Sequence, residues 1–375
     1  MNDVQHPALR PETIGGLSLA NRLAVAPMTR VSAASDGTPT EDMAGYYAAF
    51  ARGGFGLVVT EGTYTDTRHS QGYLNQPGMV SDGHEAGWRE IAGEVRGAGA
   101  AFVLQLMHAG ALSQGNRYRD DTVAPSAVPP RGEKMPEYGG HGPWATPRSM
   151  SQDDIDQVVR GFVASAVRAE RAGFDGVEVH GANGYLIDQF LTGYTNTRDD
   201  RYGGSVSRRV RLAAEIVSAI RAEVGPRFCV GIRLSQGKVN DHTHRWAGGT
   251  RDAEIIFAAL AEAGASYLHI ASEGRDWVET ATLDGGMTIT GLARKVTGLP
   301  VLANGGMHDV GRASTVLTDG HADVLALGRG ALANPDFPRR LAQGLPMADF
   351  DHRMLQPMAT LANARLWRPA ATAAV

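Results

Sequence analysis

The stretch GVEVHGANGYLIDQF, residues 176–190, places His180, Asn183 and Tyr185 at offsets of 0, +3 and +5 directly after an apolar run. On a helix, i and i+3 share a face but i+5 does not, so the three side chains converge from a tight loop, which Gly181 and Gly184 permit. A histidine and an asparagine together offer two neutral donors to one acceptor oxygen, and a nearby tyrosine offers a weak acid. That set suits a carbonyl or nitro oxygen whose negative charge grows during reaction. It does not suit hydrolysis, because no nucleophile–base pair accompanies it. A single histidine at a strand end is more often structural, so the reading depends on what faces the trio.

Other chemistry-bearing residues also sit where apolar runs stop. One run ends in Pro27-Met28-Thr29-Arg30, the next in Glu61-Gly62-Thr63, and the third carries Gln105 and His108. Arg233 alternates with Ile232 and Leu234. An arginine is almost never buried without a partner, so Arg233 meets either a barrel acid or a ligand. Gln105 is open in the same way, as a hydrogen-bond partner within the fold or a reader of a polar ring edge. The last two runs end in Asn304-Gly305-Gly306 and Gly328-Arg329. Gly-rich turns at those two places can hold a phosphate on backbone N–H groups, with Arg329 adding a charge-assisted contact. The plainer reading is two ordinary turns that need glycine.

These residues require a scaffold that brings eight strand ends together. Eight short apolar runs bounded by Gly, Pro or Asn recur at 22–27, 55–62, 101–108, 174–181, 228–235, 266–273, 299–306 and 322–330. Most are continuous rather than alternating, as for strands buried on both faces. Segments with helical spacing lie between them, among them 43–54, 153–173 and 207–225. In the second, Ile155, Val158, Val159, Phe162, Val163, Ala166 and Val167 follow the i, i+3, i+4, i+7 pattern, with Ser151 as N-cap and Gly173 as stop. Eight such units in series predict an α/β fold, a (β/α)8 TIM barrel, with a doubly wound sheet as runner-up. Residues 109–150, rich in Pro, Gly and Ser, break the rhythm after the third strand and read as a functional excursion or disorder rather than a plain connector. Residues 1–365 are expected to form one domain and 366–375 a flexible tail.

Composition narrows the remaining classes. With 43% hydrophobic and 20% charged residues the 375-residue chain is globular, and a net charge of −4 with interspersed signs leaves no footprint for nucleic acid or an anionic membrane. No signal pattern or membrane-length apolar run is present, so a cytoplasmic protein is expected. The single cysteine, Cys229, excludes an internal disulfide or a thiolate cluster. His242 and His244 form a His-x-His without a third ligand at a recognised spacing, so no metal is expected.

Taken in order, NRLAVAPMTR, TEGTYTD, FVLQLMHAG, AGFDGVEVHGANGYLIDQFL, NTRDDRYGGS, GIRLS and LGRGALANPDF resemble the Old Yellow Enzyme family of FMN-dependent ene-reductases over roughly residues 8–345. The resemblance implies non-covalent FMN over the barrel mouth, with 109–150 as a long excursion after strand 3 that caps the cavity. Ala26, Pro27, Met28 and Thr29 would line the isoalloxazine, with Gly62 packing beside it. Gln105 would read the pyrimidine edge and Arg233 would sit near N1 and the C2 carbonyl. Gly305, Gly306, Gly328 and Arg329 would hold the phosphate. It further implies that His180 and Asn183 bind the substrate's activating oxygen, that Tyr185 is the proton donor, and that Tyr73 is a substrate-pocket tyrosine. The expected reaction uses NAD(P)H to reduce the activated C=C bond of an α,β-unsaturated carbonyl or nitro compound, in a monomer or homodimer. The chain departs from the family at Met107 and Ala111, where Trp and Arg are usual, at Gln236 in RLSQ, and at Thr29, where one subclass carries Cys. Two rival readings are a flavin-free barrel isomerase or aldolase acting on a phosphorylated substrate, and a non-catalytic FMN-binding protein. The first needs a lysine nucleophile or a carboxylate base at a strand end; Glu61 and Glu178 are the only nearby acids, and neither has a matching partner in the sequence.

Overall fold

The structure, a computed structural model, describes residues 6–272 and 277–367. Each of the eight apolar runs forms a parallel strand: β1 Leu23–Val25, β2 Leu57–Val59, β3 Ala101–Met107, β4 Gly176–Asn183, β5 Cys229–Lys238, β6 Tyr267–Ala271, β7 Val301–Asn304 and β8 Val324–Leu327. Their order is β2-β1-β8-β7-β6-β5-β4-β3, and β2 also pairs with β3, which closes the cylinder. The strands are buried on both faces, which is why their sequences are apolar without alternation. The fold is a (β/α)8 barrel.

Between the strands lie α1 Glu41–Arg52, α2 Asp82–Gly97, α3 Gln152–Arg171, α4 Arg211–Glu223, α5 Gly249–Glu262, α6 Ile289–Thr297 and α7 Val310–Thr318, with α8 Phe337–Gln343 after β8. Ser151 caps α3 through a full capping box: its hydroxyl accepts from the Asp154 N–H, and the Asp154 carboxylate accepts from the Ser151 N–H. The segment 207–225, expected as one helix, is two. Val206–Arg209 and Arg211–Glu223 are separated by Val210, whose φ of −75° and ψ of −13° tighten one turn.

Two apolar layers hold these elements. The larger lies between strands and helices. The smaller fills the barrel and includes Ala24, Leu57, Val103, Tyr267, Leu302 and Val324, with Ile14, Leu17 and Leu19 entering from the hairpin Glu12–Ile14/Leu17–Leu19. A Cβ on Gly231 would stand 2.1 Å from the Tyr267 ring, so the tyrosine occupies the space that a side chain on β5 would need.

The excursion 109–150 carries a short parallel pair, Val123–Ala124 with Arg148–Ser149. Its Met135, Tyr138 and Trp144 join Tyr73, Met107, Leu112 and Tyr185 in a separate apolar cluster. At the C-terminus, Leu366 and Trp367 belong to the helix Leu361–Trp367 rather than to a tail, and 368–375 lie outside the described residues. Glu273, the last residue of the expected sixth strand, also lies outside them.

Candidate active site

β4 ends by turning through two residues with positive φ, Asn183 at 64° and Gly184 at 88°. The left-handed pair reverses the strand so that His180, Asn183 and Tyr185 reach one space despite their non-helical spacing. Several contacts fix the turn. The Asn183 N–H donates to Ser235 Oγ at 2.8 Å, the Gly184 N–H to Asp188 Oδ2 at 2.6 Å, and the Leu186 N–H to the His108 carbonyl at 3.0 Å. Asp188 is itself held by Lys238 Nζ at 2.7 and 2.8 Å, with both side chains buried. Sequence reasoning missed this pair, because a lysine in a loop-like stretch gives no local sign of burial.

His180, Asn183 and Tyr185 are 4%, 7% and 5% exposed, and the His180 and Tyr185 rings lie 5.1 Å apart. Burial and the nearby Arg233 cation push the His180 imidazole down to about 3, so it is neutral at pH 7. Its Nδ1 is buried without a hydrogen-bond partner among the described residues. The ring therefore offers one N–H and has no proton to give up as an acid.

The three side chains face a cavity of about 390 Å³, within the range that holds a cofactor or drug-sized ligand. Ala26, Pro27, Met28, Thr29, Gly62, Gln105, Arg233, Gly305, Gly306, Gly328 and Arg329 all line it. The exit of β1 is anchored from beneath, where the Arg30 N–H donates to Glu61 Oε2 at 2.8 Å and Tyr47 Oη to Glu61 Oε1 at 3.2 Å. Burial raises the Glu61 carboxyl to about 7 against the Arg30 and Tyr47 contacts that lower it. A Cβ on Gly62 would stand 2.4 Å from Met107 Sδ, and one on Gly305, where φ is 129°, 2.6 Å from the Ser272 carbonyl. The chain lies against its neighbours there with no room for side chains.

Arg233 Nη2 donates to Asn304 Oδ1 at 2.8 Å, and Asn304 Nδ2 donates in turn to the Ala326 carbonyl at 2.8 Å. β5, β7 and β8 thus support one cation, the Arg233–Asn304 bond reaching across β6. Gln105 does both things its sequence left open: it lines the cavity and donates through Nε2 to Glu178 Oε1 at 2.8 Å. Glu178 also accepts from Tyr267 Oη at 3.0 Å and faces His269 Nδ1 at 2.8 Å. Neither Glu61 nor Glu178 lines the cavity. Both are tied up in the walls, so neither of the strand-end carboxylates that the isomerase or aldolase reading relied on faces the cavity.

Tyr73 lies outside the cavity lining. It is fully buried behind Tyr185, its hydroxyl hydrogen-bonded to the Tyr185 hydroxyl and its ring 5.0 Å from that of Tyr138. It belongs to the apolar cluster with Met107, Trp144 and Tyr185, of which Met107 and Tyr185 line the cavity and Tyr73 does not. Of the two loop histidines, His242 lines the cavity whereas His244 Nδ1 is bound to the Gln236 carbonyl at 2.9 Å. His308, Leu355, Met135, Glu137 and Tyr138 are also among the lining residues. They come from loops whose sequences carry no periodicity to announce them.

The donors fit a flat polar ring joined to a phosphate. Arg233 and Gln105 stand on β5 and β3, and the half-buried Gly305, Gly306 and Gly328 with Arg329 stand on the β7–β8 side. A protein-family model described as the NADH:flavin oxidoreductase / NADH oxidase family matches residues 9–348. An old yellow enzyme homologue from Zymomonas mobilis superposes with a TM-score of 0.85 at 30% identity, covering 95% of this chain and 98% of its own. Morphinone reductase in complex with tetrahydroNAD gives 0.82 at 34%, covering 93% of each. Among curated relatives, a putative 12-oxophytodienoate reductase of Oryza sativa subsp. japonica is 35% identical over 92% of this chain and 88% of its own length. An NADH oxidase of Thermoanaerobacter brockii is 33% identical over 88% of this chain, which spans 50% of that longer protein.

Proposed function

Since the chain belongs to the NADH:flavin oxidoreductase / NADH oxidase family, to which its Old Yellow Enzyme motifs pointed, we propose that it is an FMN-dependent ene-reductase. It uses NAD(P)H to reduce the activated C=C bond of α,β-unsaturated carbonyl or nitro compounds. The observation that carries this reading is the shared cavity: an oxygen-binding, proton-bearing wall of His180, Asn183 and Tyr185 opens onto the same space as Arg233, Gln105 and the glycine turns.

Ala26, Pro27, Met28, Thr29 and Gly62 would lie along the FMN ring, Gln105 and Arg233 at its polar edge, and Gly305, Gly306, Gly328 and Arg329 at its phosphate. When bound, FMN supplies the hydride chemistry, taking hydride from the nicotinamide and giving it to the β-carbon of the alkene. Arg233 provides fixed positive charge on the side of the site where reduction places negative charge. His180, whose imidazole is pushed down to about 3 and is therefore neutral at pH 7, donates its N–H together with the Asn183 amide to the substrate oxygen, and so stabilises the charge that grows there. Tyr185 holds the proton for the α-carbon, with the Tyr73 hydroxyl against its own. Hydride and proton together account for the two hydrogens added. Mere storage of a flavin requires no proton donor over the ring, so the trio argues for catalysis.

The purified protein should be yellow, bleach anaerobically with NADPH and recolour on addition of cyclohexenone. A colourless protein, or one that bleaches and is recoloured only by oxygen, overturns the proposal.

A further inference from the structure

A buried polar cluster around Glu178 lies outside the cavity lining and is hydrogen-bonded to it through Gln105. Glu178 sits on β4 level with Gln105 on β3, and its side chain is wholly buried. Its carboxylate takes Gln105 Nε2 on Oε1, and Tyr267 Oη with His269 Nδ1 on Oε2, at 2.8, 3.0 and 2.8 Å. Burial alone would raise this carboxyl, but the His269 ring, the Arg233 cation and the Gln105 amide together hold it at about 2. A charge so deeply placed is tolerated only because each of these groups faces it.

Two consequences follow for whatever binds above. An ionised carboxylate only accepts hydrogen bonds, so Gln105 must turn its NH2 group downward. Its carbonyl oxygen is then left to the cavity that Gln105 lines, as an acceptor for a ring N–H. The flavin pyrimidine edge carries one such donor, N3–H, between two carbonyls. The second consequence is electrostatic: Glu178 and Arg233 lie within mutual reach and carry opposite charges, so the field of Arg233 at the ring edge is partly offset from below.

We propose that Glu178 is a positioning residue for the flavin site, fixing the direction of the Gln105 amide and moderating the Arg233 field, and thereby setting the affinity and the redox balance of bound FMN. The proposal rests on the FMN reading above. His269 and Tyr267 act as its supports, each bonded to the one carboxylate oxygen that Gln105 does not use.

The test compares Glu178→Gln with Glu178→Asp after removal of FMN and reconstitution. Affinities for oxidised FMN are measured by fluorescence quenching, and midpoint potentials by anaerobic titration against a reference dye. Glu178→Gln removes the negative charge that offsets Arg233. The ratio of reduced to oxidised FMN affinity should rise about tenfold, which for a two-electron couple is about +30 mV. Glu178→Asp keeps the charge but withdraws it from Gln105, so both affinities should fall together by about tenfold, with the ratio nearly unchanged. An unchanged ratio in Glu178→Gln, or equal shifts of the ratio in both variants, overturns the proposal. If Glu178→Gln does not fold, undiminished FMN affinity in Glu178→Asp does so alone. Failure of the wild-type protein to bind FMN would instead overturn the functional reading on which this one stands.

Discussion

The hydroxyl of Tyr73 is hydrogen-bonded to the hydroxyl of Tyr185, although 112 residues separate the two in the chain. Burial holds the Tyr73 phenol well above its ordinary range, with Tyr185 and Tyr138 adding to the effect, so it keeps its proton throughout. A neutral Tyr73 can donate to Tyr185 when Tyr185 gives its own proton away. Tyr185→Phe should slow alkene reduction by about 10²–10⁴, the usual worth of a positioned acid. Tyr73→Phe should slow it by about tenfold, the scale of one hydrogen bond. Stopped-flow absorbance should find flavin reduction by the nicotinamide nearly unchanged in both. Equal losses in the two half-reactions would contradict the assignment.

His180→Ala removes one of two donors to the substrate oxygen. Turnover should drop on the order of 10², by analogy with other oxyanion donors. Binding of phenols, followed by long-wavelength absorbance, should weaken in parallel. Unchanged turnover and phenol binding would exclude the role.

The same histidine makes a prediction about acid stability. Its folded value of about 3 lies below its ordinary 6.5, so the unfolded chain binds the extra proton between these limits. The His180 contribution is complete above pH 6.5 and is lost progressively as pH falls toward 3. Thermal melts across that window should therefore show a smaller acid-induced loss in His180→Gln than in the wild type.

Lys238→Met leaves the Asp188 carboxylate buried without its cation. Breaking a buried pair in this way costs about 3–5 kcal/mol, whereas replacing both partners by apolar residues is often nearly neutral. Lys238→Met should thus melt far below the wild type, and the double variant Lys238→Met, Asp188→Leu should recover much of the loss. The double variant also removes the acceptor for the Gly184 N–H, so phenol binding should stay impaired after stability returns. Full recovery of both would separate the ion pair from the turn that carries the trio.

Gly305→Ala tests the phosphate side. Its φ of 129° is unfavourable for any side chain, and the added Cβ would stand 2.6 Å from the Ser272 carbonyl. The turn must shift, and the FMN content of the purified protein should fall sharply while the barrel's circular dichroism remains. Full FMN content in this variant would remove Gly305 from the phosphate site.

The amino-acid sequence by itself determined the eight strands, most of the helices and the local constellation of His180, Asn183 and Tyr185. Continuous apolar runs, 3.6-residue periodicity and glycine stops are local signals, and the trio spans only six residues. The motif order also identified the family. What the tertiary structure decided is which distant side chains share a partner. Arg233 meets Asn304 across 71 residues, and Gln105 meets Glu178 across 73. Glu178 looked like an acid without a partner, and Tyr73 like a wall of the pocket. Strand register and barrel closure gave the first three partners and moved the second behind Tyr185. A buried polar group must find its complement wherever the closed barrel brings one into reach, and no local pattern encodes that meeting.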